Sequence, residues 1–236
     1  MNLPTLNDKM LSERFWQEGY LVLEDFFAAD LMDRLNELIM DHFGESPAFL
    51  HNDEFLEKSK ADVIPWFAQQ EGVKEFDPVG DDPGFKRLTA AIIGEHWQEQ
   101  YTMSMFSRKR SHGQSWHQDC APEDPRQFNL NRLVYTHDIN DETGGQTVVV
   151  PGTHQAGLLP AGQPDEDMDG QIVLSLKKGT LLLLHGHCWH RVLPVNVNKF
   201  SICASRHTRW HHGHLRLSKY AVSVFPKRSD RRAIYE

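Results

Sequence analysis

The sequence predicts a mainly β fold with flanking helices, arranged as a double-sheet jelly roll. After about residue 100, short apolar runs recur without helical segments between them, from YTMSMF at 101–106 to FSICAS at 200–205. Turn-forming residues separate these runs, including the Thr-Gly-Gly at 143–145 and the Pro-Gly at 151–152. Short consecutive strands of this kind are typical of sandwiches and jelly rolls, which include the cupin-like folds. We therefore predict a double-stranded β-helix core.

The chain of 236 residues fits a single domain, 1–236, with four segments. Residues 1–44 predict a helix, a strand and a second helix, because Gly19 ends the first helical pattern and Asp30 opens an amphipathic one. We expect residues 45–99 to form an acidic and largely helical insert or lid, since 45–82 holds ten Asp or Glu against three Lys. Residues 100–206 form the jelly-roll core, and 207–236 form a basic, His-rich C-terminal extension.

Composition excludes several classes of protein. The formal net charge of −8 disfavours nucleic acid as a partner. The three cysteines form no C-x-x-C motif, which favours a reducing compartment over a disulfide scaffold. The first residues lack the apolar region of a signal peptide, and the longest aliphatic run, at 181–184, is too short to span a membrane. We therefore expect a cytoplasmic protein.

Two potential metal ligands lie in the stretch GQSWHQDCAP at 113–122, where His117 and Asp119 are two residues apart. Alternate side chains of a strand share a face, so both can reach one point while Gln118 faces the other side. A histidine and a carboxylate lack one ligand of the 2-His-1-carboxylate facial triad, which leaves three positions open on Fe(II). The third ligand must then come from another strand.

The stretch GTLLLLHGHCWHRVLPVN at 179–196 offers three histidines for that position: His185, His187 and His190. On a continuous strand His185 and His187 would share one face, and His190 would lie on the other. Alternation alone does not select one of them. Each can equally be a buried or solvent-facing histidine without a ligand.

Four stretches together resemble one family of enzymes. They are FWQEGYLVLEDFF at 15–27, SWHQD at 115–119, DETGGQTVVVPGTHQAG at 141–157, and GTLLLLHGHCWHRVLPVNVNKFSI at 179–202. The combination is similar to the phytanoyl-CoA dioxygenase family of Fe(II)/2-oxoglutarate-dependent oxygenases. The resemblance covers most of the chain apart from the acidic segment and the tail.

The resemblance implies that His117, Asp119 and His190 bind iron. It also implies Fe(II), 2-oxoglutarate and O2 as cofactors, with hydroxylation of an unactivated C–H of a small-molecule metabolite and release of succinate and CO2. Because Asp119 occupies a position that is open in halogenating relatives, hydroxylation or desaturation is preferred.

The far carboxylate of 2-oxoglutarate needs a cation and a hydroxyl. The family places an arginine at the start of the strand after the distal histidine, whereas this chain has Lys199 there. Lys199 and Ser201 share one face of that strand, and Arg206 lies on the other. We predict Lys199 and Ser201 as the anchor, with Arg206 as the alternative if the strand carries a bulge.

Candidate substrate contacts are Trp116, beside the metal motif, and Asn131, Arg132 and Tyr135, on a strand expected near the pocket. His154 is interpreted as structural. The basic tail is interpreted either as a solvated extension or as an anion-binding surface. The sequence permits a homodimer and predicts neither a nucleic-acid nor a membrane partner.

A second hypothesis remains open. A cupin-like metal-binding protein or a zinc-dependent hydrolase would use the same metal ligands without 2-oxoglutarate. Such a site would lack the anchoring cation beside the metal, so the use of 2-oxoglutarate separates the two hypotheses.

Overall fold

The computed structural model describes residues 8–44, 63–95, 97–120, 122–123, 128–162, 166–197 and 199–207, with the backbone alone at 98–101 and 199–207. Its elements in chain order are α1 (Asp8–Glu18), β1 (Tyr20–Leu23), α2 (Ala29–Phe43), β2 (Val63–Trp66), α3 (Asp77–Gly80), α4 (Pro83–Ile93), β3 (Gln98–Ser107), β4 (Gln114–His117), β5 (Asn129–Tyr135), β6 (Thr147–Val149), β7 (Ile172–Leu174), β8 (Leu181–His185), β9 (His190–Val192) and β10 (Lys199–His207). Short 3-10 turns lie at Ala68–Glu71, Lys74–Phe76 and Thr153–Gln155. The C-terminal extension beyond residue 207 lies outside the described residues.

The strands form two antiparallel sheets. The larger sheet has six strands in the order β1-β8-β5-β10-β3-β2, and the smaller has four in the order β4-β9-β6-β7. From β3 to β10 successive strands alternate between the two sheets, except that β6 and β7 are paired neighbours in the smaller sheet, which is the connectivity of a double-sheet jelly roll. The prediction of a mainly β jelly-roll fold with flanking helices is confirmed.

Strand β8 shows why the aliphatic run in the sequence is continuous. Leu182 and Leu184 pack in the interior between the two sheets, together with Tyr135 and Val149. Leu181 and Leu183 pack on the other face of the larger sheet, in a cluster with residues of the helices. A strand buried on both faces needs apolar residues at every position rather than at alternate ones.

The first segment has the predicted order of helix, strand and helix. Gly19 ends α1 with a φ of 80°, and its N–H donates to the carbonyl of Phe15 over 2.8 Å. A residue with a side chain is strained at this φ, so glycine suits the end of the helix. Strand β1 then pairs with β8 at the edge of the larger sheet. Within the described ranges, no helix is both long and apolar enough to cross a bilayer.

The acidic segment differs in part from the prediction that residues 45–99 are largely helical. It contains α3 and α4, but it also supplies β2, which pairs with β3 at the other edge of the larger sheet. An edge strand tolerates Pro65 because one side of its backbone needs no partner in the sheet. Residues 45–62 lie outside the described residues, so the lid remains a prediction.

Glycine 113, at the turn into β4, is required for steric reasons. Its φ is 76°, and a Cβ there would lie 2.1 Å from the carbonyl oxygen of Val192. Gly152 has nearly the same φ, 77°, but a Cβ there would meet nothing within 4 Å. This pair separates the cost of backbone conformation from the cost of a clash.

We expect Gly113→Ala to lower the free energy of unfolding by about 3 kcal/mol or more, because left-handed strain and displacement of the neighbouring backbone add. Gly152→Ala should cost only about 1–2 kcal/mol, from strain alone. Urea unfolding of the two variants measures the difference. If both variants lost the same free energy of unfolding, the close approach of Gly113 to Val192 would contribute nothing to stability.

Candidate metal centre

Strands β4 and β9 bring two histidines side by side. His117 at the end of β4 is the Cα partner of His190 at the start of β9. Residues directly opposite in an antiparallel pair place their side chains on the same face. The two ring centroids are 4.1 Å apart, and Asp119 follows two residues after His117. The ligand atoms of His117, Asp119 and His190 all lie within 4.8 Å of one another, so these residues could hold one metal ion.

Backbone carbonyls fix which nitrogen of each imidazole faces this site. His117 Nδ1 lies 2.7 Å from the carbonyl oxygen of Ser115, and His190 Nδ1 lies 2.8 Å from that of Cys188. A carbonyl only accepts, so each Nδ1 carries a proton, and in the neutral imidazole it is Nε2 that presents a lone pair. The two Nε2 atoms are 3.6 Å and 3.3 Å from the carboxylate oxygens of Asp119. Orientation of a ligand histidine through its second nitrogen is common in metal sites.

Burial favours the uncharged form of the His190 imidazole. Its side chain is 7% exposed, whereas those of His117 and Asp119 are 32% and 26% exposed. Burial, together with the smaller effect of the neighbouring His117, lowers the pKa of His190 to about 4. The imidazole is therefore unprotonated at neutral pH, which is the form that binds a metal. The exposure of the other two leaves one side of the site open.

Gln118, between the two ligands of the H-x-D motif, faces away from them as predicted. Its Nε2 donates to the carbonyl oxygens of His187 and Gly157 over 2.7 Å and 3.0 Å. Its Oε1 accepts from the N–H of Leu159 over 2.9 Å. This side chain ties the metal motif to two loops, a role that the sequence did not indicate.

Asn131 and Arg132, both predicted as substrate contacts, lie on opposite faces of β5. Asn131 lies in the interior, where its Nδ2 donates to Asp119 Oδ2. Arg132 is fully buried on the helix-covered face, with its guanidinium carbon 3.8 Å from the ring centroid of Phe85 and its Nη1 3.3 Å from Thr89 Oγ1. Alternation along the strand therefore directs Arg132 away from the metal centre, and it is not placed to contact substrate there.

Trp116, the other predicted substrate contact, lies on the outer face of the smaller sheet. It packs with Val148 and Val150, and its Nε1 donates to the carbonyl oxygen of Glu166 over 2.7 Å. The guanidinium of Arg191 lies 5.0 Å from its ring centroid. His117 faces the interior and Trp116 faces outward, so Trp116 packs on the outside of the strands that carry His117 and His190.

The structure places the two other candidate histidines outside the cluster of His117, Asp119 and His190. His185 is on the helix-covered face of β8, stacked on Phe128 with ring centroids 4.0 Å apart. Burial lowers the pKa of His185 to about 2. His187 is also buried, and its ring centroid is 5.0 Å from that of His185. His154 Nε2 lies 3.0 Å from the carbonyl oxygen of Trp16, which agrees with its structural interpretation.

Deeper in the jelly roll, two buried hydroxyls face each other. Tyr135 Oη and Thr147 Oγ1 are 3.0 Å apart, on strands of different sheets. Ser201 on β10 is the Cα partner of Tyr135, and Lys199 is the Cα partner of Ser107. Thr147 was not among the predicted site residues. A hydroxyl directly before three consecutive valines could have indicated a polar group inside the core.

The position of Arg206 differs from that of the predicted anchor residues. Arg206 is the Cα partner of Leu130, whose side chain belongs to the helix-covered cluster. The register of β10 against β3 shifts between Ser205 and Arg206, whereas its register against β5 continues through this point. The shift in register lies beyond Ser201. Lys199 and Ser201 therefore keep regular pairing with β3.

Comparison with known proteins gives one match to a family model and several to solved structures. The model described as phytanoyl-CoA dioxygenase matches residues 15–196. No curated protein matches the chain in sequence. The resemblance inferred from the four sequence stretches is thus found independently, over most of the chain.

The fold is similar to that of EvdO2 from Micromonospora carbonacea var. aurantiaca, with a TM-score of 0.69 and 16% identity over 93% of this chain and 97% of the other. EvdO2 has also been solved with 2-oxoglutarate. SnoN, described as a non-heme α-ketoglutarate-dependent epimerase from nogalamycin biosynthesis, gives a TM-score of 0.65 and 16% identity over 84% and 80% of the two chains. SnoN has been solved with Fe3+, α-ketoglutarate and nogalamycin RO.

Proposed function

Because the chain belongs to the phytanoyl-CoA dioxygenase family, we propose that it is an Fe(II)- and 2-oxoglutarate-dependent dioxygenase that hydroxylates a small-molecule metabolite. The predicted cofactors, Fe(II), 2-oxoglutarate and O2, agree with this family. The observation that carries the proposal is the convergence of His117, Asp119 and His190 on one point. Membership of the family does not decide between hydroxylation, epimerisation and desaturation, so hydroxylation is part of the proposal.

The donor set fits Fe(II). Two imidazole nitrogens and one carboxylate make the 2-His-1-carboxylate facial triad, which leaves three coordination positions open. When bound, the iron and 2-oxoglutarate would together reduce O2, with one oxygen atom entering succinate and the other entering the C–H bond of the substrate. The protein contributes two fixed Nε2 lone pairs, one carboxylate and a partly open face on which substrate can lie.

The anchor for the far carboxylate of 2-oxoglutarate is assigned to Lys199 and Ser201. Support comes from the register of β10, because Ser201 lies opposite Tyr135, whose hydroxyl is inside the jelly roll. Thr147, which lies 3.0 Å from that hydroxyl, adds a second hydroxyl to the same region. A buried carboxylate needs both a cation and hydrogen-bond donors. Lysine supplies a point charge without the two-pronged geometry of arginine.

The proposed setting is a cytoplasmic enzyme acting on a small molecule. Cys120 and Cys188 are free, and burial raises the pKa of their thiols to about 12 and about 11. Unreactive thiols of this kind are compatible with the reducing compartment that the cysteine pattern favours.

Anaerobic addition of Fe(II) and 2-oxoglutarate tests the proposal. We expect the visible charge-transfer absorbance of an iron-bound keto acid, followed by succinate formation when O2 is admitted. An assay with candidate metabolites would then identify an alcohol as the product. Metal binding with neither absorbance nor succinate would contradict the proposal and favour a zinc hydrolase or a metal-binding protein.

A further inference from the structure

Two buried asparagines of β5 hold the carboxylate of Asp119, and we call them the asparagine relay (Asn129 and Asn131). Asn131 Nδ2 donates to Asp119 Oδ2, and Asn129 Nδ2 donates to Asn131 Oδ1 over 2.8 Å. Each asparagine is 6% exposed. Because an ionised carboxylate only accepts hydrogen bonds, Asn131 must turn its NH2 group toward Asp119, which leaves its own oxygen for Asn129. The charge on Asp119 thus sets the direction of the whole relay.

Gly186 closes the relay into a ring of hydrogen bonds. Its N–H donates to the carbonyl oxygen of Asn129 over 2.8 Å, and its own carbonyl accepts from the N–H of Asp119 over 2.8 Å. A Cβ at Gly186 would lie 2.1 Å from Asn129 Oδ1 and 2.7 Å from Cys120 Sγ. Glycine at this position therefore lets the side chain of Asn129 approach the backbone closely. Asp119 is fixed at both its backbone and its side chain.

We propose that Asn131, oriented by Asn129, is a positioning residue that makes Asp119 a ligand through one oxygen only. The hydrogen bond engages one lone pair of Oδ2, which also lies 3.3 Å from His190 Nε2, and it therefore favours Oδ1, which lies 3.6 Å from His117 Nε2, as the oxygen that binds the metal. A carboxylate that bound through both oxygens would take one of the three open positions of the facial triad. The relay thereby keeps room for a two-point keto acid and for O2. This inference rests on the proposed function.

Water relaxation on bound Mn2+ tests the relay without turnover. Mn2+ prefers the same kind of oxygen and nitrogen ligands, and the relaxation of solvent protons reports how many exchangeable waters it keeps. In Asn131→Leu, which removes the donor while keeping the branched shape, we expect the enhancement per bound Mn2+ to fall by about one third, from three open positions to two. The dissociation constant of Mn2+ should rise about 10-fold, as for other partners of metal ligands.

Two further variants separate positioning from stability. Asn129→Ala leaves Asn131 in place but unsupported, so it should shift relaxation in the same direction by a smaller amount. Gln146 provides a matched control, since its buried Nε2 donates to Asp141 Oδ1 over 2.8 Å away from the metal-binding group. Gln146→Ala should lower stability and leave Mn2+ relaxation and affinity unchanged.

The outcomes distinguish the relay from the proposed function. Unchanged relaxation in both Asn131→Leu and Asn129→Ala, with wild-type protein that binds Mn2+ and 2-oxoglutarate, would overturn the relay alone. Wild-type protein that binds no Mn2+ would overturn the proposed function and the relay with it.

Discussion

Replacement of His190 by alanine is expected to weaken Fe(II) binding by more than about 100-fold, because losing a ligand costs more than losing a partner of a ligand. The same change should abolish succinate formation. The nearby His187→Gln variant should retain both, since His187 is not among the residues that converge on the proposed metal position. Titration with Mn2+ or with Fe(II) under anaerobic conditions measures the affinities.

This comparison is informative because the two histidines are three residues apart and both buried. A general loss of folding would affect the two variants alike, and thermal unfolding of the metal-free proteins monitors it. If His187→Gln lost the metal and His190→Ala retained it, the assignment of the distal ligand would be wrong.

The second large effect is expected at the anchor for 2-oxoglutarate. Because we propose that Lys199 holds the far carboxylate of 2-oxoglutarate, we expect Lys199→Ala to raise the KM for 2-oxoglutarate by about 100-fold, since the loss of one partner of a charge pair of this kind costs roughly 3 kcal/mol. Lys199→Arg keeps the charge and should recover most of this loss. Steady-state succinate formation at varied 2-oxoglutarate concentration gives the KM values.

Arg206→Ala is the matched control for the anchor, since Arg206 lies on the same strand and pairs with Leu130 of the helix-covered cluster. Its KM for 2-oxoglutarate should stay within about threefold of wild type, because we expect Arg206 not to bind the far carboxylate. A large rise in Arg206→Ala with no change in Lys199→Ala would reassign the anchor to Arg206.

Local pattern alone predicted the strands and marked His117 and Asp119 as potential ligands of one metal ion. Alternating and continuous apolar runs indicated the jelly roll, and the i, i+2 spacing suggested that His117 and Asp119 share a face, although β4 ends at His117 and Asp119 follows it. The distal ligand could not be predicted in this way, because β8 ends at His185 and the chain turns before β9 begins at His190. Alternation does not continue through a turn, so only the family resemblance selected His190.

The faces of β5 show a second limit of the sequence. Alternation along a strand predicts that Asn131 and Arg132 point in opposite directions, but it does not predict which of them points inward. The answer depends on packing with α4, where Phe85 lies against the guanidinium of Arg132. The strand Val63–Trp66 was missed for a similar reason, since four residues that include a proline show a strand only through their pairing with β3.

Diffraction from crystals grown anaerobically with Fe(II), with anomalous scattering recorded at the iron edge, tests the central claim most directly. We expect a single anomalous peak bound by Nε2 of His117, one carboxylate oxygen of Asp119 and Nε2 of His190. A peak held elsewhere, such as beside the buried rings of His154, His185 and His187, with none between these three donors, would contradict it.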